Sequence, residues 1–130
     1  MIGAALTAVS GSSKVYKGGI ISYTNEVKHS VLGVPFSLLE KEGAVSAAVA
    51  EAMAMGVRKL LSTDYAVSVT GLAGPGGDEY GNPVGTVFIG YADEHETISK
   101  HYLFTGDREA VRIQAAEEAL KLLLSKMSEK

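Results

Sequence analysis

The sequence predicts an α/β fold, a three-layer α/β/α domain with a mixed sheet and a glycine-rich loop leaving a central strand. Three observations carry that expectation. Apolar residues recur at helical spacing in two long segments, Ser46 to Ser62 and Arg108 to Lys126. Between them lie short β-branched runs, of which Val84 to Ala92 is almost continuously apolar, as a strand covered on both faces must be. From Gly71 to Gly85, six of fifteen residues are glycine. A loop that long inside a short chain is seldom a simple connection.

Each element follows from local chemistry. Residues 2–9 form a helix of small residues, stopped by Ser10-Gly11-Ser12-Ser13. Gly18 to Tyr23 reads as a strand, β-branched and aromatic. Thr24 or Asn25 caps a helix from Glu26 to Leu32, with Glu26 in the acid-favouring first turn. Gly33 ends it, and Pro35 introduces a further short helix, Phe36 to Glu42, closed by Gly43. Ser46 caps the first long helix, whose apolar stripe is Val49, Met53, Gly56/Val57, Leu60 and Leu61. Asp64 to Thr70 alternates like a strand, and Thr97 to about Phe104 follows a turn at Asp93 to His95. In the last helix, Val111, Ala115, Ala119, Leu122 and Leu123 face inward, whereas Glu109, Arg112, Glu117, Glu118 and Lys121 face water. Two strands form a hairpin, so the sheet is not purely parallel.

Composition narrows the function. The chain has 130 residues, 46% of them apolar and 21% charged, and reads as one domain over 1–130. With that apolar content it can bury roughly 68% of its unfolded surface, which excludes a disordered chain. It has no cysteine, which removes disulfide scaffolds, zinc ribbons and a thiol nucleophile. Three scattered histidines give no metal site, and no cofactor is expected. A net charge of −3 lacks the basic stripe of a nucleic-acid module. No apolar run is long enough to span a bilayer, so the expected location is the cytoplasm, with no membrane partner.

Four segments could carry chemistry. The glycine-rich loop after Thr70 can turn backbone amides toward an anion or a carbonyl oxygen, or its glycines can simply serve turns. It fits neither the Walker nor the Rossmann spacing. Ser22-Tyr23-Thr24-Asn25-Glu26-Val27-Lys28 sets hydroxyls, an amide and an amine where a strand hands over to a helix. A lysine desolvated there loses basicity and can deprotonate a serine; a solvated surface lysine is the commoner outcome of that spacing. Ser10-Gly11-Ser12-Ser13 lacks a nucleophile elbow and reads as a helix-ending loop. Arg108 and Arg112, one turn apart at a helix start, can hold phosphate or pair with acids such as Glu109.

Together these segments resemble the CinA carboxy-terminal domain family, whose free-standing members are nicotinamide mononucleotide deamidases. The carriers are Gly11-Ser12-Ser13, Gly18-Gly19, Tyr23-x-Asn25-Glu26-x-Lys28, Leu32-Gly33-Val34 and Gly43-Ala44-Val45-Ser46. Met53-Ala54-x-Gly56, Thr70-Gly71-x-Ala73-Gly74-Pro75-Gly76-Gly77, Pro83-Val84-Gly85-Thr86-Val87 and Gly106-Asp107-Arg108-x-x-x-Arg112 continue the series, which spans nearly the whole chain. The resemblance implies an amidohydrolase with a serine–lysine dyad, converting nicotinamide mononucleotide and water to nicotinic acid mononucleotide and ammonia. It implies Lys28 as the base, and a substrate pocket lined by Tyr23, Asn25, Thr70, Gly71, Ala73, Gly74, Pro75 and Gly76. Arg108 and Arg112 are the candidates for phosphate, and a homo-oligomer is the expected assembly.

The sequence departs from the family pattern at one place. The nucleophilic serine belongs to a Glu-Ser-Cys-Thr-Gly-Gly motif that follows a strand ahead of the first helix, and neither motif nor strand is present. Ser10, Ser12 and Ser13 match a different family segment. Two expectations follow: a shortened form of an active deamidase, or an inert remnant that binds a nucleotide or a partner.

Overall fold

One helix organises the packing. In a computed structural model, which describes residues 1–12 and 16–129, that helix runs over Ala47–Leu61. Three shorter helices precede it, so the chain reads α1 (Ile2–Thr7), α2 (Asn25–Ser30), α3 (Phe36–Glu42) and α4 (Ala47–Leu61). Then come β1 (Ala66–Gly71), β2 (Thr86–Ala92), β3 (Thr97–Leu103) and α5 (Arg108–Ser128). Side-chain caps open three helices: the Thr24 hydroxyl, one of the two expected candidates, accepts from the Val27 amide, that of Ser46 from Val49 as expected, and the Asp107 carboxylate from Ala110. Ser13 lies outside the described residues.

The described sheet has the order β1-β2-β3, with both pairs antiparallel; Ala66 stands opposite Ala92, and Thr86 opposite Leu103. Its faces divide by the strand period of two. Ser68 and Gly90, cross-strand partners, face α4; the Ser68 hydroxyl donates to the Ala50 carbonyl. A Cβ on Gly90 would overlap that carbonyl, so the missing side chain lets helix and sheet approach. On the other face Val87, Ile89 and Tyr91 pack with Val111, Ala115, Ala119 and Leu122 of α5. A second cluster, Leu32, Val34, Leu39, Val49 and Met53, fastens the segment around α2 and α3 to α4. Helix α1 rests on α5 and buries no residue fully, although Ile2 touches the main core.

The α/β class and the three layers stand. Several details differ. Gly18 to Tyr23 is not a strand, because among the described residues no backbone-to-backbone hydrogen bond reaches 18–23. The described sheet is therefore antiparallel, not mixed, and β1, which leads into the glycine-rich loop, is an edge strand and not a central one. The first helix stops at Thr7 instead of residue 9. Leu60, placed in the core stripe of the long helix, is 49% exposed; its position has rotated past the sheet, while Val49 and Met53 are buried.

Candidate functional site

Lys28 is the one lysine buried among the described residues, 7% exposed. Its burial begins with the Thr24 cap, which starts α2 so that position 28 turns inward. The Lys28 Nζ donates to the Ser22 carbonyl at 2.7 Å, closing the chain on itself across six residues. No carboxylate among the described residues pairs with it. Burial without a counter-charge penalises the ammonium form, so its pKa is pushed below the usual lysine value. Such a group is available as a base at a lower pH than a surface lysine.

Ser22 also lines a large open groove of about 1240 Å³. Its lining comes from β1 and the residues ahead of it, from residues 16–23, and from α1, α4 and α5. Of the residues expected to line a substrate pocket, Tyr23, Gly71 and Ala73 border this groove, as does Arg112. Lys28 itself is not among the lining residues; it reaches the groove through its hold on Ser22.

The remaining candidates are placed differently. The Thr70 hydroxyl is spent on the Ala44 carbonyl at 2.7 Å, which ties the end of β1 to the approach of α4. Asn25 opens α2 and is exposed. Gly74 is joined to Pro75 by a cis peptide, and its carbonyl accepts from Arg108 Nη1 at 3.0 Å. Pro75 and Gly76 are exposed at the loop tip. Arg108 therefore acts on the loop backbone, while Arg112 pairs with Glu109 at 3.5 Å on the surface, so the two arginines do not converge.

Two residues that sequence reasoning missed fix the glycine-rich loop. Asn82 donates from Nδ2 to both the Asp78 carboxylate (2.8 Å) and the Val45 carbonyl (3.1 Å). Tyr80 donates its hydroxyl to the Glu40 carbonyl at 2.7 Å. Asp78 also accepts from the Tyr80 and Asn82 amides, and the Asn82 side-chain bond leads the set that lowers its pKa. The signal available in the sequence was the Asp-x-Tyr-x-Asn spacing, since an aspartate that bonds its own backbone two residues on marks an ordered turn.

Comparison with known proteins gives a consistent result. A family model described as the CinA C-terminal domain matches residues 1–127. A CinA-like protein of Thermosynechococcus vestitus is 50% identical over 125 residues, covering 94% of this chain and 30% of its own length. A CinA-like protein of Solibacter usitatus is 43% identical over 130 residues, with 100% and 31% coverage. The chain thus spans about three tenths of the curated relatives it matches. Among solved structures, the competence damage-inducible protein A from Klebsiella pneumoniae superposes with a TM-score of 0.94 at 35% identity, covering 98% of this chain and 79% of that one. The competence/damage inducible protein from Agrobacterium tumefaciens gives 0.91 at 35% identity, with 95% and 76% coverage.

Proposed function

Since the chain belongs to the CinA C-terminal domain family, we propose that its site serves hydrolysis of a carboxamide, that of nicotinamide mononucleotide, with Lys28 as the base. The single observation that carries this reading is the state of Lys28: buried, uncompensated by any acid among the described residues, and held by a backbone carbonyl in place of a carboxylate. A lysine kept only for structure would ordinarily be paired or solvated.

In this mechanism a neutral lysine takes the proton of a serine hydroxyl, and the oxygen attacks the carboxamide carbon. The resulting oxyanion needs nearby N–H donors, which the backbone around Gly71 and Ala73 is suited to provide. The C–N bond then breaks, and the lysine returns its proton to the departing ammonia. Water hydrolyses the acyl-enzyme ester to nicotinic acid mononucleotide and regenerates both groups. The serine would come from the Glu-Ser-Cys-Thr-Gly-Gly segment that the resemblance expects ahead of Ile2.

A second reading has its own observation. Among the described residues, the only hydrogen bond made by Lys28 Nζ goes to a carbonyl, and none goes to a serine hydroxyl. The 130-residue chain on its own would then bind the mononucleotide, or a protein partner, without turning it over.

The test measures ammonia released from nicotinamide mononucleotide by a chain carrying that segment, by its Lys28→Ala variant, and by the 130-residue chain. The amidase reading expects turnover only from the first. No turnover from any of them, with mononucleotide binding retained in calorimetry, leaves the binding reading standing. A homo-oligomer and a cytoplasmic location belong to the same proposal.

A further inference from the structure

We infer that Tyr80 and Asn82 are positioning residues for the ligand site: from outside the groove they register the glycine-rich loop against the segment that carries Lys28, and affinity for the mononucleotide depends on that register. The inference rests on the proposed function, and its test separates the two.

The anchor is residues 40–45, where α3 ends and α4 is approached. This stretch offers backbone carbonyls, and the loop supplies the donors. Where the loop begins, the Thr70 hydroxyl reaches the Ala44 carbonyl at 2.7 Å. On its return, the Tyr80 hydroxyl reaches the Glu40 carbonyl at 2.7 Å, and Asn82 Nδ2 reaches that of Val45 at 3.1 Å. Both ends of the loop are thus tied to one short stretch. Glu40 lies in the last turn of α3, whose carbonyls lack partners within the helix. Because the acceptors are backbone atoms, these bonds fix the path of the main chain and do not depend on a rotamer. The Tyr80 ring lies against Gly43, where a Cβ would come within 2.7 Å of it.

The same anchor leads to Lys28. Leu39 of α3 packs with Leu32 and Val34. The His29 ring stacks on Phe36 at 3.9 Å, and the Val34 amide donates to the Lys28 carbonyl at 3.0 Å. The loop and the lysine segment therefore share one support.

Gly71 and Ala73 border the groove, whereas Tyr80 and Asn82 do not. A substitution at 80 or 82 leaves the ligand-facing groups chemically unchanged and alters only where they stand. Binding groups must be held within roughly 0.5 Å of their productive place. If the loop is in register for only a fraction of the time, the apparent dissociation constant rises by the inverse of that fraction.

The test titrates nicotinamide mononucleotide by calorimetry into the 130-residue chain, its Tyr80→Phe variant and the double variant Tyr80→Phe/Asn82→Ala. The phenylalanine keeps a ring against Gly43 and removes only the hydroxyl. Binding should weaken about threefold in the single variant and about tenfold or more in the double. Backbone NMR order parameters at Ala73, Gly74, Gly76 and Gly77 supply a readout that lost stability alone does not move. They should stand near ~0.85 in the parent with or without mononucleotide, fall below ~0.6 in the free double variant, and return toward the parent value once it is bound. Equal affinities in the three proteins overturn the inference and leave the mononucleotide reading intact. Weaker binding by a double variant whose loop stays rigid does the same. No binding by the parent overturns that reading, and the inference with it.

Discussion

The Ser22 carbonyl oxygen takes the Lys28 ammonium at 2.7 Å, and no carboxylate among the described residues shares that charge. A backbone carbonyl offers a dipole but no net charge, so the bond only partly offsets the loss of water around a cation. Lys28 is therefore held in place and destabilised as an ion by the same local fold.

Stability should depend on pH through this residue. Because the folded pKa lies below 10.5, the unfolded chain binds more protons between the two values, and stability rises with pH across that window. Lys28→Met removes the buried charge. It should be more stable than the parent at pH 7, by on the order of 1 kcal/mol, with the gap closing toward pH 10.5. Urea melts of both proteins at several pH values measure this; a gap that stays constant would contradict it.

Tyr91 titrates in the opposite sense. Its ring is fully buried and its hydroxyl donates to the Asp93 carboxylate at 2.6 Å. Burial, reinforced by that carboxylate, raises its pKa above the ordinary 10.0. The folded form then keeps a proton that the unfolded chain gives up, so this contribution is complete below pH 10.0 and fades as pH climbs through the raised value. Tyr91→Phe should cost about 1–2 kcal/mol at pH 7 and flatten the alkaline decline seen in thermal melts.

Gly90→Ala should destabilise by about 1–3 kcal/mol. The added methyl group meets the Ala50 carbonyl and the Ser68 hydroxyl, and neither is the loose end of a flexible side chain. Chemical denaturation reads the loss. Ser68→Ala in the same background should recover little, because the helix backbone remains in the way.

Asn82→Ala removes the side chain that, among the described residues, joins Asp78 to the Val45 carbonyl. A stability loss of about 1 kcal/mol is expected, along with faster amide exchange confined to residues 72–85. Fast exchange spreading into β2 would show instead that the loop was holding the sheet.

Much of this architecture was legible in the residues, and the failures share a cause. Thr24 and Ser46 announced their helices because a cap is decided within three residues. Val111, Ala115, Ala119 and Leu122 announced the buried face of α5 through period alone. Gly18 to Tyr23 misled, because its residue types favour a strand while the ladder needs a neighbour that local sequence does not provide. Among the described residues nothing pairs with the outer side of β1, which is therefore an edge of an antiparallel sheet. In the candidate site, the spacing of the Tyr23-to-Lys28 segment favoured a solvated Lys28, and only the family resemblance singled it out; the lysine is in fact buried. The spending of Thr70 on Ala44, and of Arg108 on Gly74, depended on contacts 26 and 34 residues away.

Side-chain hydrogen bonds fasten the glycine-rich loop to α5 through Arg108 and Gly74, to α3 through Tyr80 and Glu40, and ahead of α4 through Asn82 and Val45. A glycine-rich stretch is normally the most expensive part of a chain to immobilise, since glycine has the most conformational freedom to lose. Here that loss is taken when the domain folds. Under the proposed function, a ligand arriving at Gly71 or Ala73 meets a surface that is already set, and its binding is not reduced by ordering the loop.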